Sequence, residues 1–162
     1  MNPALLAASR RLHRIFRSRG LSFSCAESCT GGLVSACITA VPGASAFFTA
    51  GLVVYAASAK QSVLRVSAST LRRHGLVSAE TAGEMARKAR LLTAADYALS
   101  TTGNLGPDVL EGKERGLVFI AVSSRSGTVV KEHRFRGSRE AVRQKAVSAG
   151  LRMVAREVLK NA

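Results

Sequence analysis

Residues 23–32, Phe-Ser-Cys-Ala-Glu-Ser-Cys-Thr-Gly-Gly, join two kinds of hydrophobic pattern. A semi-apolar run over residues 21–26 stops at Glu27-Ser28. After Gly31-Gly32, the positions Leu33, Val34, Ala36, Cys37, Ile38 and Val41 fall at helical spacing. The predicted order is strand, tight turn, helix start. Backbone N–H groups at such a helix start lack intrahelical partners, and the macrodipole there favours an anion such as phosphate or a developing oxyanion. The hydroxyls of Ser28 and Thr30 lie in the same field. On these residues alone two readings stay open: a helix cap with glycines that let the chain turn, or a nucleophile at an anion-binding turn.

Upstream, Leu5, Ala8, Leu12, Ile15 and Phe16 share one helical face, and Gly20 stands where that helix would stop. Arg10, Arg11, Arg14, Arg17 and Arg19, with no acid before Glu27, resemble an organelle transit peptide in composition. The apolar face instead predicts a packed first helix.

Downstream, the second helix should run to about Ala40, before Pro42-Gly43. Residues 51–56, Gly-Leu-Val-Val-Tyr-Ala, read as a buried strand, and residues 57–64 as a short helix capped by Ser58. Lys60 would then stand at the positive end of a helix dipole, which lowers its pKa and suits it to work as a neutral base. A solvent-exposed lysine is the other reading. A helix capped by Ser78 should bury Ala82, Met85, Ala86, Ala89 and Leu92. Residues 95–101 read as a strand, followed by the turn-rich loop Thr102-Gly103-Asn104-Leu105-Gly106-Pro107-Asp108. An exposed connection over residues 109–115 leads to a central strand over residues 116–123. Arg125-Ser126-Gly127 then turns the chain into a charged edge strand over residues 128–136. The closing helix is capped by Ser138 and buries Val142, Ala146, Val147, Leu151, Val154 and Val158, with Arg139 and Arg143 one turn apart and able to face one anion.

This alternation predicts a single α/β domain over residues 1–162. It is a three-layer αβα sandwich with a mixed, partly parallel sheet and an antiparallel edge hairpin. Ligands of such sheets gather at the carboxyl ends of strands, where Ser28, the Tyr55 to Lys60 turn and the Thr102 to Pro107 loop all fall.

With 162 residues and 47% hydrophobic content the chain can bury a sizeable core, yet no apolar run approaches membrane-spanning length. Cys25, Cys29 and Cys37 form neither a CxxC pair nor a cluster with histidine, which argues against a zinc site or a disulfide framework and fits a reducing cytoplasm. Cys29 at a helix start is a rival nucleophile if its thiol pKa is lowered. The net charge of +14 attracts phosphates without naming their source. Scarce aromatics and dispersed cations make it chiefly a solvated surface, with non-specific nucleic acid binding the lesser reading.

Three dispersed signals resemble the CinA C-terminal domain: Ala26-Glu27-Ser28-Cys29-Thr30-Gly31-Gly32; Gly51 to Tyr55 with Lys60 five residues on; and Thr102-Gly103 with Gly106-Pro107. Stand-alone members of that family include a nicotinamide-nucleotide amidase. The resemblance implies hydrolysis of nicotinamide mononucleotide to nicotinate mononucleotide and ammonia. Ser28 would be the nucleophile, Lys60 the general base and Tyr55 a supporting hydroxyl. On the residues themselves, Thr30, Gly31, Gly32, Thr102, Gly103 and Gly106 are further substrate-binding positions, with backbone N–H groups of the turn or the glycine loop on the oxyanion and Arg139 and Arg143 on the phosphate. The resemblance implies no cofactor or metal, and a homo-oligomer. The chain departs from the family pattern at Ala57-Ser58 and Asn104-Leu105, which leaves the preferred substrate open. The competing reading is a catalytically weak or inactive binding protein associated with nucleic acid.

Overall fold

The computed structural model describes residues 2–161. Helix α1 (Pro3–Arg19) opens where the Asn2 side chain accepts the Ala4 N–H and Pro3 fills a position that needs no donor; Gly20 closes it with φ 61°. Its buried residues include Leu5, Leu12 and Phe16, the stripe that favours a packed helix. No helix among the described residues is long and apolar enough to cross a membrane.

Strand β1 (Phe23–Glu27) is buried at every position. It has a strand on each side, in the sheet order β2 (Phe48–Val53), β1, β3 (Tyr97–Gly103), β4 (Leu117–Ser124), β5 (Gly127–Arg134). Both β2 and β3 run parallel to β1, whereas the β3–β4 and β4–β5 pairs are antiparallel. A strand enclosed on all sides reads as an apolar run rather than an alternation.

Successive β1 side chains serve opposite faces. Phe23 and Cys25 join a core with α1, α2 (Leu33–Thr39) and α6 (Arg139–Lys160), while Ala26 joins one with α3 (Ala57–Ser62), α4 (Ala68–His74) and α5 (Ala79–Thr93). Three layers result, as expected. Phe16 is the hub of the first core, its ring centroid 5.4 Å from those of Phe23 and Phe47 and 6.0 Å from that of Tyr97. The carboxyl ends of β1, β2 and β3 lie at one edge, so the connections that follow them share it.

Several boundaries differ from the sequence expectation. Edge strand β2 begins at Phe48, paired with Phe23, and ends at Val53 rather than Ala56. Ser58 is not a cap: Ala56 takes that position without a side-chain bond, so Lys60 is the fourth residue of a six-residue helix. Strand β3 starts two residues late because the Asp96 carboxylate accepts both the N–H and the hydroxyl of Ser22, a side-chain clasp that precedes the ladder. Leu92 is 57% exposed, while Ala82, Met85, Ala86 and Ala89 are buried as expected. The final helix buries all six expected residues and is capped by Ser138, which accepts the Ala141 N–H.

Truncating the hub should be felt throughout. Phe16→Ala is expected to lower unfolding free energy by about 3–5 kcal/mol, with the urea midpoint falling and the slope unchanged.

Candidate active site

Ser28 is the first residue beyond β1, and its N–H still bonds the Thr101 carbonyl at 3.0 Å, so the sheet holds it in place. The chain then reverses through Gly31 and Gly32 at φ 57° and 92°, a region that only glycine enters cheaply. The Gly31 N–H closes the turn on the Ser28 carbonyl at 3.1 Å.

The start of α2 is not free for an outside anion, as the sequence suggested, because Glu27 occupies it from within. This fully buried carboxylate accepts Gly32 N–H and Val34 N–H at 3.0 Å and the Thr30 hydroxyl at 2.7 Å through Oε2. Through Oε1 it accepts Ser35 N–H at 2.9 Å and the Ser35 hydroxyl at 2.7 Å. Thr30 Oγ1 also bonds Thr101 Oγ1 at 2.7 Å, so this hydroxyl supports the turn instead of facing a ligand. The N–H groups of Cys29 and Thr30 retain no backbone acceptor among the described residues. Glu27 escaped the sequence reading as a functional residue. Its signal was isolation: no other acid occurs in the first 79 residues.

Lys60 is 1% exposed and its Nζ lies 2.9 Å from Ser28 Oγ, 2.8 Å from the Val54 carbonyl and 3.0 Å from the Tyr55 carbonyl. Burial pulls its pKa down to about 8. The sequence argument reached the same direction through the dipole of α3, but a short helix with Lys60 in its last turn offers little such field; desolvation is the cause. The three partners are compatible with both protonation states. An ammonium donates to all three. A neutral amine donates its two hydrogens to the two carbonyls, which can only accept, and its lone pair is left facing the Ser28 hydroxyl.

Cys29 is not the rival nucleophile. Burial pushes its thiol up to about 12, so it stays protonated at neutral pH. Cys37 is likewise raised, to about 11, by burial.

Tyr55 is 57% exposed, and its hydroxyl accepts from Arg139 Nη2 at 2.9 Å rather than reaching Ser28 or Lys60. It is therefore a rim residue whose backbone carbonyl, not its phenol, meets Lys60. Arg139 also donates to the Gly106 carbonyl, tying the start of α6 to two of the strand-end loops. Arg143 reaches the third, donating to the Thr30 carbonyl at 3.0 Å through Nη2 and to Glu140 at 2.9 Å through Nη1. The two arginines therefore hold opposite sides of one rim, and Arg139 has no carboxylate partner among the described residues.

Two expected substrate contacts are turned elsewhere. Thr102 donates its hydroxyl to the Leu76 carbonyl at 2.7 Å, on the opposite side of the sheet from Thr101. Gly103 is required by packing, since a Cβ there would lie 2.6 Å from the Leu117 carbonyl oxygen. Asn104, which the sequence marked only as a departure, is the buried post of the following loop. Its amide donates to the Leu110 and Lys113 carbonyls at 3.0 and 3.1 Å and its Oδ1 accepts the Leu110 N–H at 3.1 Å. Among the described residues no three His, Cys, Asp or Glu side chains gather to hold a metal ion.

The profile of the CinA C-terminal domain matches residues 6–158. A CinA-like protein of Geobacter sulfurreducens is 44% identical over 147 residues, which are 90% of this chain and 36% of that protein. The chain spans about a third of the length of the curated relatives it matches. A crystal structure of competence damage-inducible protein A from Klebsiella pneumoniae is similar, with TM-score 0.93, 33% identity and 96% of this chain and 97% of that one covered. The competence/damage inducible protein CihA of Agrobacterium tumefaciens has TM-score 0.91 at 35% identity, with 95% of both chains covered.

Replacing the carboxylate beneath the turn should be costly although the shape is kept. Glu27→Gln puts an amide NH₂ where backbone N–H groups now point. It is expected to destabilise the fold by about 3 kcal/mol in urea titration, whereas Glu140→Gln on the exposed rim should change it by less than about 0.5 kcal/mol.

Proposed function

Because the chain belongs to the CinA C-terminal domain family, we propose that it is an amidohydrolase that converts nicotinamide mononucleotide to nicotinate mononucleotide and ammonia through Ser28 and Lys60. The observation that carries this reading is the 2.9 Å approach of Lys60 Nζ to Ser28 Oγ, with two carbonyls as the other partners of that nitrogen. A lysine enclosed in this way has its lone pair aimed at the hydroxyl it must deprotonate.

In the proposed reaction Lys60 takes the Ser28 proton as Oγ bonds to the carboxamide carbon. The Cys29 and Thr30 N–H groups, which have no backbone acceptor among the described residues, receive the developing oxyanion. Lys60 returns the proton to the departing nitrogen, ammonia leaves, and an ester to Ser28 remains. Water, deprotonated by the same amine, then splits the ester and releases the carboxylic acid. Arg139 and Arg143 on the rim suit the substrate phosphate, and Tyr55 holds Arg139 in position. The three unpaired thiols fit a reducing cytoplasm.

The +14 charge supports a second reading, a non-catalytic protein that holds nucleic acid. Salt-sensitive retention on DNA with no ammonia release would favour it.

Ammonia release from nicotinamide mononucleotide is the direct test. Ser28→Ala and Lys60→Ala should each lower kcat by about 10³-fold or more, with the double variant no worse than either single one, as for groups that act as a unit. An unchanged rate in Ser28→Ala ends the proposal. The pH profile supplies an independent check. Below a pKa of about 8, Lys60 is an ammonium without a lone pair, so kcat/KM should rise with pH and level off above that value.

A further inference from the structure

At the far end of α2 from Ser28, a cavity of about 790 Å³ is lined by Arg10, His13, Arg14 and Arg17 of α1 and by Val41 and Pro42. The seven-residue helix α2, about 10 Å long, separates the two places. None of the groups named above for the Ser28 chemistry lines this cavity.

Arg10, Arg14 and Arg17 follow one another at spacings of four and three, which puts their guanidinium groups on one side of α1 over about 10 Å. Like charges so placed repel. Helix α1 contains no acid, and among the described residues none of the three arginines has an ion-pair partner. His13 adds a second and independent signal. It is 4% exposed, and Nε2 lies 2.9 Å from the Ile38 carbonyl, which can only accept, so Nε2 carries the hydrogen. Nδ1 is buried with no partner at all. Buried polar atoms are nearly always satisfied, and an unpartnered one in a residue that lines a basic cavity points to a ligand group.

We propose that this cavity binds a phosphorylated small molecule of nucleoside diphosphate size. Three guanidinium groups over such a span match two linked phosphates better than one, since each presents paired N–H donors to phosphate oxygens. His13 Nδ1 accepts a hydroxyl of the ligand once the groups that cover it move aside, and Val41 and Pro42 form the apolar wall against which a ring rests. The volume lies within the usual range for small-molecule sites. A nucleic acid strand is the poorer fit, because no Phe or Tyr lines the cavity to stack on bases.

Calorimetric titration of the full chain with ADP, inorganic pyrophosphate and a short single-stranded oligonucleotide tests the proposal. ADP is expected to saturate one site per chain, with pyrophosphate weaker at the same site. Arg10→Ala and Arg14→Ala should each weaken ADP about tenfold or more, and His13→Gln should weaken it too. Arg14→Glu, at an exposed position, should abolish binding while the thermal unfolding midpoint stays in place. Arg73→Ala on α4 removes the same charge on the other face and should leave ADP affinity unchanged. The proposal is overturned if neither ADP nor pyrophosphate saturates, if Arg73→Ala weakens ADP as much as Arg14→Ala, or if only the oligonucleotide binds. It also fails if ADP affinity survives Arg10→Ala/Arg14→Ala and is lost in Arg139→Ala, which would place the ligand at the Ser28 rim.

Discussion

A single carboxylate sealed beneath a turn sets the geometry of everything above it. Glu27 meets six donors, three from the backbone at the start of α2, two from hydroxyls and one from the Cys25 thiol. Burying a carboxylate is unfavourable unless such donors surround it, and a helix start supplies them already aligned. The turn can therefore have only one shape, because each N–H that Glu27 accepts must point inward. Ser28 follows at once in the chain and has no freedom to leave the end of β1.

The second constraint is proton bookkeeping at Lys60. A lysine in water is an ammonium at neutral pH and a poor base. Here the side chain is buried among acceptors that stabilise N–H donors but provide no negative charge. The carbonyls hold two hydrogens in either state, so the equilibrium turns on the third. Desolvation favours its loss, and the Ser28 hydroxyl is the group next to the lone pair that results. Tyr55 contributes a carbonyl to this arrangement and sends its phenol outward to Arg139. One residue thus serves Lys60 through its main chain and the rim through its side chain.

Much of the architecture was legible because hydrophobic periodicity and caps are local. The α1 stripe, the buried β1, the Ser78 and Ser138 caps and the antiparallel edge all follow from short windows of sequence. What escaped depends on contacts across the sheet. Thr101 and Thr102 are equivalent in a string, but side chains alternate along a strand, so Thr101 meets Thr30 while Thr102 meets Leu76 on the other face. Reading β3 as residues 95–101 left Thr102 in a loop, where it looked free to bind. Likewise the N–H groups at the start of α2 looked vacant because the carboxylate that fills those of Gly32, Val34 and Ser35 belongs to a strand, and nothing local says which way it turns. The sequence pattern put Ser28 and Lys60 at one edge of the sheet, but their pairing as nucleophile and base came from the family resemblance, since 32 positions separate them and the parallel β1–β2 pairing brings them together.

The distribution of charge over the molecule follows from where its ten acids stand. Of ten acidic residues, Glu27, Glu84, Asp96 and Glu111 accept backbone N–H groups at helix starts, strand starts or loops. Carboxylates so committed stabilise turns; Asp96 and Glu111 also pair with Arg125 and Lys113, but no ion pair among the described residues involves α1. Helix α1, with five arginines and no acid, carries an uncompensated share of the +14 surplus, and its Ser9 and His13 meanwhile satisfy the Cys37 and Ile38 carbonyls at the end of α2. Helix α2 is thus held at both ends by side chains from other elements: Glu27 at its positive end, below Ser28, and α1 at its negative end, beside the basic cavity. A short helix fixed in this way cannot shift at one end without disturbing the contacts at the other.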